Sequence, residues 1–180
     1  MYRNRYVPGR KPYIRQPRAT LPSLRMSNNP TPFVKLPWYK FTYENDLLPT
    51  PGQITKETVQ DIIFQIRQRL EFKDDAKIRI KVSNAKVWST AGASSLAVPQ
   101  IVTSYYNLST LQVSEYPRSQ MRDSGTLNMP AKTAFKWPVT DKTTILDDSQ
   151  GAREVVAVAN ANSNNLAVRI NVWFQTGAIN

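Results

Sequence analysis

Short runs in which an apolar residue occupies every second position limit the possible folds of this chain more than any other feature. Between 166 and 176, Val168, Ile170 and Val172 alternate with Arg169 and Asn171. A period of two places the two sets on opposite faces of a β-strand, one buried and one exposed. The pattern predicts eight short strands, at 37–43, 77–89, 98–108, 111–115, 133–137, 143–146, 154–159 and 166–176.

The segments between these strands are rich in turn-forming residues: AGASS, YPRSQMRDSG, DDSQG and NANSNN. Strands and helices do not alternate along the chain, which argues against a parallel sheet and favours an antiparallel sandwich or roll. Within 77–89 the alternation changes phase, because Ile80 and Val82 lie on even numbers whereas Ala85 and Val87 lie on odd ones. This change predicts a β-bulge near Ser83–Asn84.

One segment, ITKETVQDIIFQIRQRLEF, has the period of an amphipathic helix. Its apolar face comprises Val59, Ile62, Ile63, Ile66 and Leu70. Thr55 is the predicted N-cap, because Ile54 and Val59 then occupy the two positions of a hydrophobic staple. We expect this helix to pack on a sheet.

The first 43 residues carry nine Lys/Arg and no acid, together with seven of the 13 prolines. The nine cations are Arg3, Arg5, Arg10, Lys11, Arg15, Arg18, Arg25, Lys35 and Lys40. Prolines at this density exclude regular helix and central strand, so we interpret residues 1–36 as a flexible basic arm and 37–180 as a folded domain. Residues 44–180 contain the remaining 15 Lys/Arg and all 13 acids, so their net charge is only +2, whereas that of the whole chain is +11. Such asymmetry predicts that the arm binds a polyanion, and tyrosines among the arginines suit nucleic acid.

Several kinds of chemistry are excluded or disfavoured. The chain has no Cys and no His, which removes thiol nucleophiles, thiolate metal sites and the commonest general base. No phosphate-binding glycine loop or nucleophile elbow occurs, so we predict no catalytic site and no cofactor. A hard-cation site at Asp141, Asp147 or Asp148 stays open, because loop carboxylates suit Ca²⁺. No apolar run is long enough for membrane insertion.

The order of these segments resembles a known family. A basic arm, PWYKFTY, the helix TVQDIIFQIRQRL, IRIKVSNAKVWS, FKWPVTDKTTIL and LAVRINVWFQT follow one another. This order is similar to that of the single jelly-roll capsid proteins of small circular single-stranded DNA viruses related to circoviruses. In that family a helix after the first strand leads to a strand ending in valine–tryptophan, like Val87–Trp88.

The resemblance implies an all-β fold: an eight-stranded antiparallel jelly roll of two four-stranded sheets, with the helix between the first two strands. It also implies an icosahedral T=1 shell of about sixty copies, with arms pointing inward onto a genome of single-stranded DNA. The expected location is the virion, with passage through the host nucleus during assembly. The expected nucleic-acid contacts are Arg3, Arg5, Arg10, Lys11, Arg15, Arg18 and Arg25, with Lys77, Arg79 and Lys81 as weaker candidates.

Two other functions remain open at this level. One is a monomeric nucleic-acid-binding module with a sandwich or OB-like body. The other is a carbohydrate- or receptor-binding sandwich in which Tyr105, Tyr106 and Trp137 form an exposed platform.

Overall fold

The computed structural model describes residues 36–47, 53–91, 98–109, 116–160 and 165–177. These residues form eight strands, which are β1 (Tyr39–Leu47), β2 (Ile54–Thr58), β3 (Ile78–Thr90), β4 (Gln100–Tyr105), β5 (Ser119–Ser124), β6 (Ala131–Lys136), β7 (Glu154–Asn160) and β8 (Asn165–Thr176). The helices are α1 (Val59–Arg69), a single turn α2 (Val139–Thr143) and a 3₁₀ turn at Asp148–Gln150. None of these helices is long and apolar enough to cross a membrane.

The strands form two four-stranded antiparallel sheets. The first sheet has the order β1-β8-β3-β6 and the second has the order β2-β7-β4-β5. Along the chain, β1 pairs with β8, β2 with β7, β3 with β6 and β4 with β5. This nested pairing is that of one long hairpin rolled into two sheets, which is a jelly roll. The predicted fold class is confirmed.

The strands predicted from alternation place their apolar side chains in the core between the sheets. Val168, Ile170 and Val172 of β8 are buried and Arg169 is exposed. The bulge in β3 is also confirmed, since its register with β8 shifts between Val82 and Asn84. The extra residue keeps the apolar positions buried on both sides of the shift, which an unbroken alternation would not do.

The predicted start of the helix is wrong. Residues 54–58 pair with β7 as a strand, and Thr58 is the N-cap of α1. Thr58 and Asp61 form a reciprocal capping box, in which Thr58 Oγ1 accepts from Asp61 N at 3.3 Å and Asp61 Oδ2 accepts from Thr58 N at 2.8 Å. The helix therefore follows the second strand and not the first. Ladder pairing and this capping box outweigh a staple at Ile54, which is 61% exposed.

Two further strand predictions differ from the structure. Residues 143–146 were predicted as a strand, but α2 ends at Thr143 and only Leu146 pairs, with Ile80. Asp141 anchors α2 instead, as described below. Conversely, β5 forms within a segment that was predicted as a loop. The alternation did not reveal this strand because its inward side chains are mostly polar. The predicted strand at 111–115 lies outside the described residues.

A buried polar contact links the two sheets. The Tyr43 hydroxyl of β1 donates to Glu57 Oε2 of β2, and Asn45 Nδ2 donates to Glu57 Oε1 at 3.1 Å. Glu57 is 1% exposed. Burial raises the pKa of the Glu57 carboxyl, although the two hydrogen bonds act in the opposite direction. The same burial, together with Glu57 itself, raises the pKa of Tyr43.

The outer edge of β1 is closed by a side chain of α1. Gln65 Oε1 accepts from the Glu44 backbone N–H at 3.0 Å, and Gln65 Nε2 donates to the Glu44 carbonyl at 2.6 Å. The amide group thus replaces the partner strand that an edge residue lacks.

The buried carboxylate of Asp141 joins the two sides of the β4–β5 connection. Its Oδ1 accepts from the Ser109 backbone N–H at 3.0 Å, and its Oδ2 lies 3.1 Å from Nη1 of Arg118. Asp141 is fully buried, whereas the Arg118 side chain is 36% exposed. One carboxylate therefore fixes residues on either side of 110–115.

Candidate nucleic-acid interface

The outward side of the first sheet carries most of the positive charge of the described strands. We call this surface the cationic face. Its seven cations within the described residues are Lys40, Arg79, Lys81, Lys86, Lys132, Lys136 and Arg169, and its acids are Glu44 and Asp46. All seven point away from the core because each alternates with buried or half-buried neighbours. The face therefore carries a net +5, more than the whole of 44–180.

The outward side of the second sheet is different. Its charged residues, within the part that the structure describes, are Lys56, Arg122 and Glu154. Lys56 Nζ lies 2.5 Å from Glu154 Oε1, so this pair is neutralised. Charge is thus segregated to one side of the roll, which a sum over the domain hides.

Trp173 lies at the centre of one transverse row of the cationic face. It is paired with Lys40 of β1 on one side and with Lys81 of β3 on the other. Lys40 Nζ lies 5.0 Å from the centroid of the Trp173 ring, and Lys81 Nζ lies 4.1 Å from that of Trp38. Both distances are within the range of cation–π attraction. Indole rings and ammonium groups therefore alternate along this row.

A second cluster surrounds Trp88 at the other end of the face. The guanidinium carbon of Arg169 lies 5.5 Å from the Trp88 ring centroid and Lys132 Nζ lies 5.9 Å from it. The β8 residue paired with Trp88 is Ala167. This small side chain leaves space beside the indole ring.

An uncharged polar patch separates the two clusters. Asn171 Nδ2 donates to Asn84 Oδ1 at 2.7 Å, and Thr42 Oγ1 donates to Asn171 Oδ1 at 3.0 Å. These groups are part-buried or exposed and retain unused donor and acceptor positions. They can form hydrogen bonds to a ligand that crosses the face.

The two acids occupy one corner, at the far end of β1. Glu44 Oε1 lies 2.9 Å from Nε of Arg169, which offsets its charge. Asp46 pairs with Ala167, which separates it from Trp88 in the same row. This corner disfavours a polyanion, whereas the diagonal from Lys40 to Lys132 has cations at both ends and crosses the uncharged patch between them.

The predicted site residues divide into two groups. Arg79 and Lys81 lie on the cationic face, whereas Lys77 precedes β3; Lys77 and Arg79 both border a cleft of about 690 Å³ that Asp147 also lines. The predicted arm contacts Arg3, Arg5, Arg10, Lys11, Arg15, Arg18 and Arg25 lie outside the described residues. The described chain begins at Leu36, whose carbonyl accepts a hydrogen bond from Gln175, a neighbour of Trp173 on β8. The described part of the chain therefore begins beside the cationic face.

Sequence reasoning missed most of this face. Lys40 was counted with the arm, and the sequence prediction assigned no binding role to Lys86, Lys132, Lys136, Arg169, Trp88 or Trp173. The signal was present in the alternation, because residues opposite the apolar positions of β3 and β8 must share one outward surface. The summed charge of the domain concealed it.

The platform proposed for sugar binding is wrong in two of its three residues. Tyr105 is 0% exposed and Trp137 is 1% exposed. Tyr105 stacks on Phe135 with ring centroids 4.7 Å apart, so these rings fill the core. The acidic residues considered for a cation are dispersed: Asp141 contacts Arg118 and Asp148 contacts Arg67. Among the described residues no group of three or more candidate ligands forms.

Comparison with models of protein families gave no match, and neither did comparison with curated proteins. Solved structures do match. A chain of the virus-like particle of the extra small virus of the giant freshwater prawn Macrobrachium rosenbergii superposes with a TM-score of 0.56 at 14% identity, over 94% of both chains. Turnip yellow mosaic virus gives 0.49 at 10% identity, over 84% of this chain and 87% of that one. Mud crab tombus-like virus gives 0.49 at 10% identity, over 96% of both. The prawn-virus similarity supports the fold: this chain has a jelly roll similar to that of the prawn-virus particle chain.

Proposed function

We propose that this chain is the capsid protein of a small virus, which assembles with copies of itself around a nucleic-acid genome. The observation that carries the proposal is the segregation of charge in a shell-type jelly roll. One sheet is cationic on its outward side, and Leu36, the first described residue after the basic segment, is hydrogen-bonded beside that face. A subunit oriented with this side inward presents its positive charge to the genome.

In this proposal the arm, residues 1–36, supplies most of the phosphate contacts. They come from Arg3, Arg5, Arg10, Lys11, Arg15, Arg18 and Arg25. Neutralising phosphates with arginine and lysine releases condensed counterions, so binding is insensitive to sequence and weakens with salt. The cationic face adds further phosphate contacts on the folded domain. The protein acts by assembly and charge neutralisation, without catalysis.

The finer features of the proposal follow the circovirus-like resemblance. They are a closed icosahedral shell of about sixty copies, a single-stranded DNA genome, a location in the virion and assembly in the host nucleus. The described fold is compatible with each of them.

Electron microscopy of the purified full chain, combined with its absorbance at 260 and 280 nm, tests the proposal. We expect closed particles that contain nucleic acid. A chain lacking residues 1–35, which retains the Leu36 carbonyl, should stay folded and lose most of that nucleic acid. Replacing Lys56 and Arg122 with Gln on the opposite sheet provides the charge control and should leave loading unchanged.

A full chain that stays monomeric would overturn the capsid assignment. If that monomer bound nucleic acid, it would support the alternative of a monomeric binding module. Normal loading by the shortened chain would overturn the role of the arm.

A further inference from the structure

The outward tryptophans give the cationic face a more specific ligand than a generic polyanion. We propose that this face binds single-stranded nucleic acid by stacking bases on Trp173 and Trp88. The inference rests on the proposed function, because it names the ligand of the same surface.

Three of the four tryptophans of the chain, Trp38, Trp88 and Trp173, lie on this one surface. The fourth, Trp137, is a core residue whose Nε1 donates to the Tyr106 carbonyl at 2.8 Å. Trp173 is 37% exposed although it stands on a central strand of the sheet. An exposed indole in that position contributes little to the core, so its placement calls for a ligand with a flat apolar surface.

A second copy of the same face is a poor occupant. Two such faces would bring seven cations against seven, and like charges across an interface cost several kcal/mol. A ligand that is both anionic and aromatic satisfies the surface. Nucleic acid combines the two properties, with phosphates for Lys40 and Lys81 and base rings for Trp173.

The position of the tryptophans favours a single strand over a duplex. In a duplex the bases are stacked on one another and paired, so their ring faces are not available. Four-stranded antiparallel sheets that bind single-stranded RNA likewise stack bases on aromatic side chains of their outer face. Here Trp173 and Trp88 stand on the two central strands, β8 and β3.

The register gives the length and direction of the site. Trp88 pairs with Ala167, six residues from Trp173 along β8, so the two stacking positions are about 20 Å apart. The patch of Asn84, Asn171 and Thr42 lies between them and can bond to base edges. The carboxylate of Asp46 repels phosphates at one corner of the face. The bound nucleic acid therefore crosses the sheet diagonally from Lys40 to Lys132.

The test compares probes that differ in their bases but not in their charge. Full-length protein, dissociated into subunits and freed of nucleic acid, is titrated with oligothymidylate of about 20 nucleotides, which exceeds the site size of one such surface, and with its oligouridylate counterpart. An abasic deoxyribose-phosphate strand of equal length and a duplex with the same total number of phosphates serve as comparisons. Intrinsic tryptophan fluorescence and competition against a labelled probe report binding. We expect both base-containing single strands to quench fluorescence and to bind at least about tenfold more tightly than the abasic strand, as stacking of one or two bases implies.

The substitutions Trp173→Leu and Trp88→Leu should each reduce affinity for oligothymidylate about fivefold or more and leave affinity for the abasic strand unchanged. Phe64→Leu, on an exposed position of α1, is the matched aromatic control. Equal binding of base-containing and abasic strands, or tighter binding of the duplex, would overturn the inference. Preference for the uridylate strand over the thymidylate strand would assign RNA as the ligand, and the reverse would assign DNA. These results do not depend on particle formation, so failure of the stacking site is distinguishable from failure of the capsid assignment.

Discussion

The hydroxyl of Tyr43 donates a hydrogen bond to the carboxylate of Glu57, and this bond joins the two sheets inside the core. The pKa of the Glu57 carboxyl is raised above its ordinary value of 4.5. The folded chain therefore binds a proton at Glu57 more tightly than the unfolded chain does. Protonation of Glu57 therefore stabilises the fold. This stabilisation is present below pH 4.5 and is lost as the pH rises through the folded-state pKa of Glu57.

Replacing Glu57 with Gln removes this titration and keeps the shape of the side chain. We expect the stability of Glu57→Gln relative to the original chain to increase with pH above about 4.5, by about 1.4 kcal/mol for each unit by which the pKa is raised. Urea unfolding between pH 4 and pH 8 measures the difference. Glu71→Gln, at an exposed position, is the control. A difference that stays constant across this range would contradict the prediction.

Truncation of Gln65 opens the edge of β1. Gln65→Ala leaves the Glu44 N–H and C=O without their side-chain partner, and we expect a loss of about 1–3 kcal/mol in the free energy of unfolding. Gln68→Ala, on the exposed side of the same helix, should change stability by no more than about 0.5 kcal/mol. Equal effects of the two substitutions in chemical denaturation would show that the edge contact does not stabilise the fold.

Removal of the Asp141 carboxylate releases both sides of the β4–β5 connection. Asp141→Ala deprives the Ser109 N–H and Arg118 of their acceptor, and we expect a loss of about 1–3 kcal/mol. The expected loss of stability is no larger because Arg118 is partly solvated. Asp148→Ala, which breaks the more exposed pair with Arg67, should cost less than about 1 kcal/mol. Thermal unfolding of both variants checks the order, and a larger effect at Asp148 would refute it.

Charge removal from the cationic face should be visible in the salt dependence of binding. Each phosphate contact contributes about 0.7 to the slope of log affinity against log salt for a single strand, so Lys40→Ala with Lys81→Ala should lower the slope by about 1.4. Arg122→Ala, on the outward side of the second sheet, should leave it unchanged. Filter binding over a series of salt concentrations gives both slopes. An unchanged slope for the double variant would place these lysines outside the contact.

Strands with apolar inward residues could be predicted from the sequence. In β3 and β8 every inward position except Ser89 and Thr176 is apolar, so the period of two is plain and even the bulge is visible. β2 was missed because its inward residues are Thr55 and Glu57, and β5 because Ser119 and Asp123 face inward. In β2 the apolar signal is absent and in β5 it is limited to Met121, so only pairing with β7 or β4 reveals these strands.

The candidate site was less predictable for a physical reason. Lys132 and Trp88 are 44 positions apart in sequence, and only the β3–β6 ladder brings them together. Local alternation states which face a residue occupies but not which strand lies beside it. The spread of the cations over four strands made each look like an ordinary solvated residue.

The position of β8 between β1 and β3 has a consequence for synthesis on the ribosome. A nascent chain that has emerged only as far as β7 already contains every basic residue of the arm. Its first sheet, however, still lacks β8, the strand that carries Arg169 and Trp173. β1 then has no neighbour with which to pair, because its partner lies more than a hundred residues downstream. The arm is thus translated first and the cationic face is completed last, so truncated products lack the complete cationic face.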